Sequence, residues 1–295
     1  MNKPIYKLRE WVNIKNINWN SLSENPNAIE LLKKNKDKIN YNYLSLNPNA
    51  IELLEENLDK INWNILSRNP NAIKLLENNK DKINWTNLCY NSNAIELLKN
   101  NRNKINWYVL SLNPNAMELL KENLDKIDWN YLSYNPNAIE LLKENKDKIN
   151  WYYLSLNINA IEILKENVKK INWNMLSKNI NGIELLKKNL NKIDWYYLST
   201  NNNAIKILKE NLNKINYNFL CANDNYNIIE LLENNQDKIN WYNLSKNPII
   251  FTLDYEKMKK NFELMEEEII KEVLKPRRVI RNLELYKYDI EDMYD

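Results

Sequence analysis

The side chains able to carry chemistry in this chain are few in kind and evenly spaced. Cys89 and Cys221 are the only thiols, too few for a Cys-rich zinc site or a disulfide framework. Histidine is absent from all 295 residues, which removes the commonest general base and the commonest metal ligand. A single glycine, Gly182, cannot build a phosphate-cradling loop, which needs several. Recurring columns of carboxylates, ammonium groups, amides and aromatic rings remain. Glutamates recur at Glu30, Glu52, Glu96, Glu118, Glu140, Glu162, Glu184 and Glu230, with Lys74 and Lys206 at the matching places. Carboxylate pairs can act as acid and base in glycoside hydrolysis, but near-identical copies give no reason for one unique cleft. No catalytic residue, metal site or cofactor is expected.

A lysine column runs Lys38, Lys60, Lys82, Lys104, Lys126, Lys148, Lys170, Lys192, Lys214 and Lys238. It reads either as a solvated face with Asp-Lys and Glu-Lys neighbours or as a ladder offered to an acidic partner or phosphates. Asp37, Asp59, Asp81, Asp125 and Asp147 dilute its field. The whole chain carries 42 basic and 39 acidic residues, a net +3, whereas dedicated nucleic-acid binders usually show a clustered basic excess.

These columns need an element that repeats. Aromatic residues stand at Trp19, Tyr41, Trp63, Trp85, Trp107, Trp129, Trp151, Trp173, Trp195 and Tyr217, each 22 residues after the last, and Trp241 follows after 24. One unit reads INWNILSRNPNAIKLLENNKDK, from Ile61 to Lys82. Asn62 (Asp128 or Asp194 in two copies) is placed to cap a short helix over residues 63–68. Asn69-Pro70 starts a second helix over residues 70–78, with Pro at the first helical position. Asn79 stands where a left-handed C-cap belongs, the usual substitute for Gly. The other Asn columns, Asn69 and Asn71, read as caps and inter-unit hydrogen-bond ladders.

Two helices this short cannot bury an apolar stripe alone, and stacked copies can. The expected fold is all-α: an α-solenoid of ten to eleven two-helix units with no strands, an arc on the order of 100 Å long at 8–10 Å per layer. Ile61, Trp63, Leu66, Ala72, Ile73 and Leu76 form its expected inner column. Residues 1–16 are expected to make an N-terminal cap and 17–248 the repeats. Residues 249–295 would add a C-terminal helical cap that shields the last apolar face, with an acidic tail. Within that last segment, Asp254 caps a helix reaching about Leu274, and a second helix is expected over residues 277–286. Cys89 and Cys221 fall in a column that is otherwise Ser, six units apart, and read as small packing residues.

The INWxxLSxNPNAIxLLxxNxDK unit resembles the tandem-repeat proteins of giant DNA viruses of the mimivirus and chlorella-virus sort. The tail is similar to one such proteins often carry, TLDYxxM followed by His-Pro-x-Arg, except that Lys275 replaces the His. The resemblance covers nearly the whole chain and implies a viral protein acting in an infected cell. It carries no active site across. In length the unit is also similar to leucine-rich-variant repeats.

Two columns vary while the frame stays constant, two and five places after the aromatic. Their separation of three puts both on one helix face. Tyr131, Tyr134, Tyr153 and Tyr197, extended by Val109 and Leu112, are expected to form one exposed, tyrosine-rich ridge, a composition typical of recognition surfaces. The expected function is non-enzymatic binding of a protein, host or viral. Helical-repeat RNA binding and a structural or virion role are the alternatives. Arg277, Arg278 and Arg281 make a small basic cluster in the tail. No membrane partner is expected, since no apolar run approaches the roughly 18 residues of a span. No apolar leader is apparent, so the cytoplasm is the expected compartment.

Overall fold

The computed structural model describes residues 4–275 and Arg278; the expected helix over 277–286, the acidic tail and the Arg277/Arg281 part of the basic cluster lie outside them. The chain divides into two compact units, Arg9–Phe251 and Met1–Leu8 with Thr252–Asp295. The larger is the expected all-α solenoid. Its repeats are numbered 1 to 11 here by their aromatic, from Trp19 to Trp241.

In repeat 3 the first helix spans Trp63–Leu66, the second Ile73–Glu77, and a 3₁₀ turn Lys80–Lys82 leads into repeat 4. That third element was not expected. Asn62 caps the first helix by accepting from the Ile65 amide. Asn79 is not left-handed: its φ is −135°. Its Nδ2 donates instead to the Leu75 carbonyl, 2.9 Å away, closing the second helix by a side-chain bond. With no left-handed position to fill, the repeats need no glycine. Gly182 itself has φ −77° and occupies the Ala column, where a Cβ would meet Leu176 Cδ1 at 2.8 Å.

The core is a run of aliphatic columns. Ile61, Leu66, Ala72, Leu75 and Leu76 are buried. Trp63 and Ile73, expected inside, are only half-buried. The Trp63 ring is covered on its open side by the Lys82 ammonium, 4.7 Å from its centroid, rather than by aliphatic side chains alone.

Repeats are joined by asparagine. Asn135 is fully buried; its Nδ2 donates to the Ser111 and Asn113 carbonyls of repeat 5 at 3.1 and 2.9 Å. Its Oδ1 accepts the Asn137 amide at 3.0 Å. An amide side chain alone supplies two such donors and an acceptor at this reach. The same three bonds recur at each of the eleven equivalent residues, from Asn25 to Asn247.

The ladder has no free end. Asn25 of repeat 1 donates to the Ser245 and Asn247 carbonyls of repeat 11, both at 2.9 Å. A serine ladder closes at the same seam: Ser67 Oγ accepts the Asn84 amide within the stack, and Ser245 Oγ accepts the Asn18 amide. Helix Trp19–Glu24 packs on both Tyr41–Leu44 and Trp241–Ser245. The solenoid is therefore a closed ring, which corrects the expected open arc. The first and last apolar faces cover each other, so terminal segments are not needed to shield them. Where the lysine column fails, with Asn16 in its place, Trp11 packs on Trp241 instead, centroids 6.5 Å apart.

Two short strands were not expected: Tyr6–Leu8 pairs with Phe251–Leu253. In the smaller unit, Asp254 caps a helix over Tyr255–Val273, close to the expected bounds.

Candidate interaction surface

In the ring, successive first helices pack on one another, as Trp129–Tyr134 does on Trp151–Leu156 and that helix on Trp173–Lys178. Successive second helices stand farther apart. On a closed ring the tighter layer has the shorter circumference, so the first helices line the inside. At 8–10 Å per step, eleven of them describe a circle roughly 30 Å across between axes. Their solvent-facing side chains are those one, two and five places after the aromatic.

The six predicted residues do not form one ridge. Tyr134 is exposed, at 43 %, whereas Val109 is buried, at 5 %, and leaves the surface altogether. Tyr131, Tyr153, Tyr197 and Leu112 are half-buried. Neighbours one place along cover them: Tyr108 stacks edge-on to Tyr131 with centroids 4.3 Å apart, and Tyr131 touches Tyr153 at 5.6 Å. Interaction with the Tyr108 hydroxyl, and then burial, raise the Tyr131 phenol above its ordinary value. Tyr197 belongs to a separate cluster with Tyr196 and Phe219. Between the clusters stands Met175, buried in repeat 8.

Sequence reasoning missed the exposed covering residues Tyr108, Tyr152, Tyr196 and Tyr242. The available signal was the aromatic doublet, as in Trp107-Tyr108, where other copies have Asn or Thr. Tyr242 meets Tyr43 across the seam, hydroxyls 3.1 Å apart, because Ser21 between them is small and buried.

Tyr134, Tyr153 and Leu112 do converge on a groove of about 380 Å³, with Leu156, Ile158, Lys178 and Ile180 as further walls. Ile158 and Ile180 stand in the column that is Pro in repeats 1, 2, 3, 5, 6 and 11. Elsewhere the column departs from Pro only to polar residues, Ser92, Asn202 and Asp224. Proline presets the turn, while each isoleucine there leaves an exposed apolar side chain. In the smaller unit a larger groove, about 740 Å³, runs along helix Tyr255–Val273 past Met258 and Phe262.

The charged columns divide by position. Glutamates at the start of the second helices pair with lysines three residues on, as Glu140 with Lys143 and Glu184 with Lys187, both at 2.8 Å. Lys187 holds the Glu184 carboxyl below its ordinary range. Each lysine that ends a repeat lies over the aromatic of its own repeat, from 4.4 Å at Lys148–Trp129 to 4.9 Å at Lys60–Tyr41. Cys89 and Cys221 are buried in the Ser column. The Cys89 thiol donates to the Trp85 carbonyl at 3.2 Å. Burial pushes the Cys221 thiol up to about 11. Such a thiol is no nucleophile near neutral pH. Among the described residues no group of three or more Cys, Asp or Glu could hold a metal ion, and no helix is long and apolar enough to cross a membrane. No family model, no curated protein and no solved structure matches this chain.

Proposed function

We propose that the chain is a non-enzymatic binding scaffold whose groove over repeats 5 to 8 receives an apolar segment of a partner protein. The observation that carries this reading is the coincidence of two features at one place. The groove walls Leu112, Tyr134, Leu156, Ile158 and Ile180 are apolar and reach solvent, and two of them replace a proline that the fold prefers. Stability alone does not select such a departure, and exposed apolar patches usually mark interaction sites. Lys178 is the only charged wall, which favours a protein segment over an RNA strand. If the chain acts in an infected cell, as the resemblance implies, the partner is a host or viral protein.

Restoring the consensus tests this directly. Asn157 and Asn179 have ψ of 116° and 117°, against 118° for Asn135, which precedes Pro136. Ile158→Pro with Ile180→Pro therefore fits the backbone and should leave helicity intact. Partner recovery by affinity purification after nuclease treatment should fall at least about tenfold, the scale of a lost hot spot. Unchanged recovery with this double variant would refute the groove as the binding site.

A further inference from the structure

The near-neutral net charge conceals a division between the two rims of the ring. Each repeat has one connection at either end of its helix pair, so the Asn-Pro turns lie on one rim and the 3₁₀ turns on the other. Counted over the eleven 3₁₀ turns from Ile14–Asn16 to Gln236–Lys238, there are sixteen Lys or Arg and six Asp. The Glu column stands at the opposite end, in the first turns of the second helices.

Three successive turns sharpen the pattern. Val168–Lys170, Leu190–Lys192 and Leu212–Lys214 contain no acidic residue, and each opens on an exposed aliphatic side chain. Val168 is 41 % exposed, and Leu190 and Leu212 are each 55 % exposed. Lys169, Lys170, Lys192 and Lys214 stand among them, the last three over the rings of Trp151, Trp173 and Trp195. Glu166 and Glu210 stand two residues before Val168 and Leu212, balanced by Lys188 at the same place before Leu190, and Asp194 is engaged as a helix cap by the Tyr196 and Tyr197 amides.

We propose that this arc of repeats 7 to 9 docks on an anionic lipid surface. Lysines supply attraction to acidic headgroups, aliphatic tips insert at the acyl boundary, and Trp with Lys suits the interface between them. Nucleic-acid phosphates would satisfy the lysines but offer nothing to Val168, Leu190 and Leu212. The expectation of no membrane partner rested on the lack of a spanning segment, and surface adsorption needs none.

The test is co-sedimentation of the full chain with phosphatidylcholine vesicles, with and without phosphatidylserine. Binding should require phosphatidylserine and weaken steeply with salt. Leu190→Ser with Leu212→Ser, and separately Lys169→Glu, should each weaken it about tenfold, with circular dichroism unchanged. Leu58→Ser, in the same column but beside Asp59, should change it little. No binding to phosphatidylserine vesicles at low salt would overturn the proposal. So would equal weakening by Leu58→Ser, or a preference for single- or double-stranded nucleic acid that survives the leucine substitutions.

Discussion

Asn25→Ala and Asn135→Ala should destabilise the protein equally. Asn135 makes two donor bonds to the previous repeat and accepts one within its own. Truncation removes both donor bonds between the repeats, leaving the Asn113 carbonyl with only the Ala116 amide, and frees the Asn137 amide from its acceptor. At about 1 kcal/mol net per hydrogen bond, more where a buried group is left bare, the loss is about 3–5 kcal/mol. Asn25 makes the same three bonds, with repeat 11 as its previous repeat. In an open arc it would face solvent and keep only the local bond to the Asn27 amide, so its loss would be about 1 kcal/mol or less. Urea unfolding of both variants, followed by circular dichroism, gives the comparison. A large loss for Asn135→Ala with a small one for Asn25→Ala would refute closure.

Further substitutions test the layers beneath the ring. Leu132→Ala, at a fully buried position, should cost about 2–5 kcal/mol. Trp129→Ala, half-buried beneath Lys148, should cost less, and the reverse order in urea unfolding would show that the core is misassigned. The Cys221 thiol stays protonated to about 11 in the fold against 9.0 ordinarily. Its contribution is fully present below pH 9 and is lost as pH rises from about 9 to 11, on the order of 2–3 kcal/mol. Cys221→Ser should flatten that part of the stability–pH curve, and an unchanged slope would contradict the assignment. Tyr134→Ser should change stability by no more than about 0.5 kcal/mol, as measured by thermal unfolding.

Much of the unit was legible in the sequence. Periodicity placed the helices, Asn62 declared the start of the first, and the Leu columns declared the core. Asn69 caps the turn before the second helix, which begins three residues later than Pro70, at Ile73, with Ala72 at its N-cap. Three features were not legible. Asn79 looked like a left-handed cap because its alternative, a bond from its own side chain back to Leu75, leaves the same residue type in the same place. The Trp ring looked buried because hydrophobicity cannot show that a lysine 19 residues later covers it. Closure itself is written in no single residue. It follows from a rotation of about 33° per repeat, set by how much closer the first helices pack than the second. Only its consequences leave marks, such as Asn16 where the lysine column fails and Trp11 in position to fill the gap. The groove left a mark too, in the broken proline column at Ile158 and Ile180. The variable first-helix columns included three walls of the groove, Leu112, Tyr134 and Tyr153, but could not separate Tyr134 from buried Val109.

The closed ring is tested most directly by a distance across the seam. Asn20 and Tyr242 are exposed residues of the same column in repeats 1 and 11, and Asn20 and Asn42 are the same column in repeats 1 and 2. Spin labels can be placed on cysteines introduced at each pair, with Cys89 and Cys221 changed to Ser. Both pairs should show the same strong dipolar broadening, the signature of a separation near the 8–10 Å of one repeat step. Broadening for Asn20–Asn42 but none for Asn20–Tyr242 would mean that the repeats form an open arc.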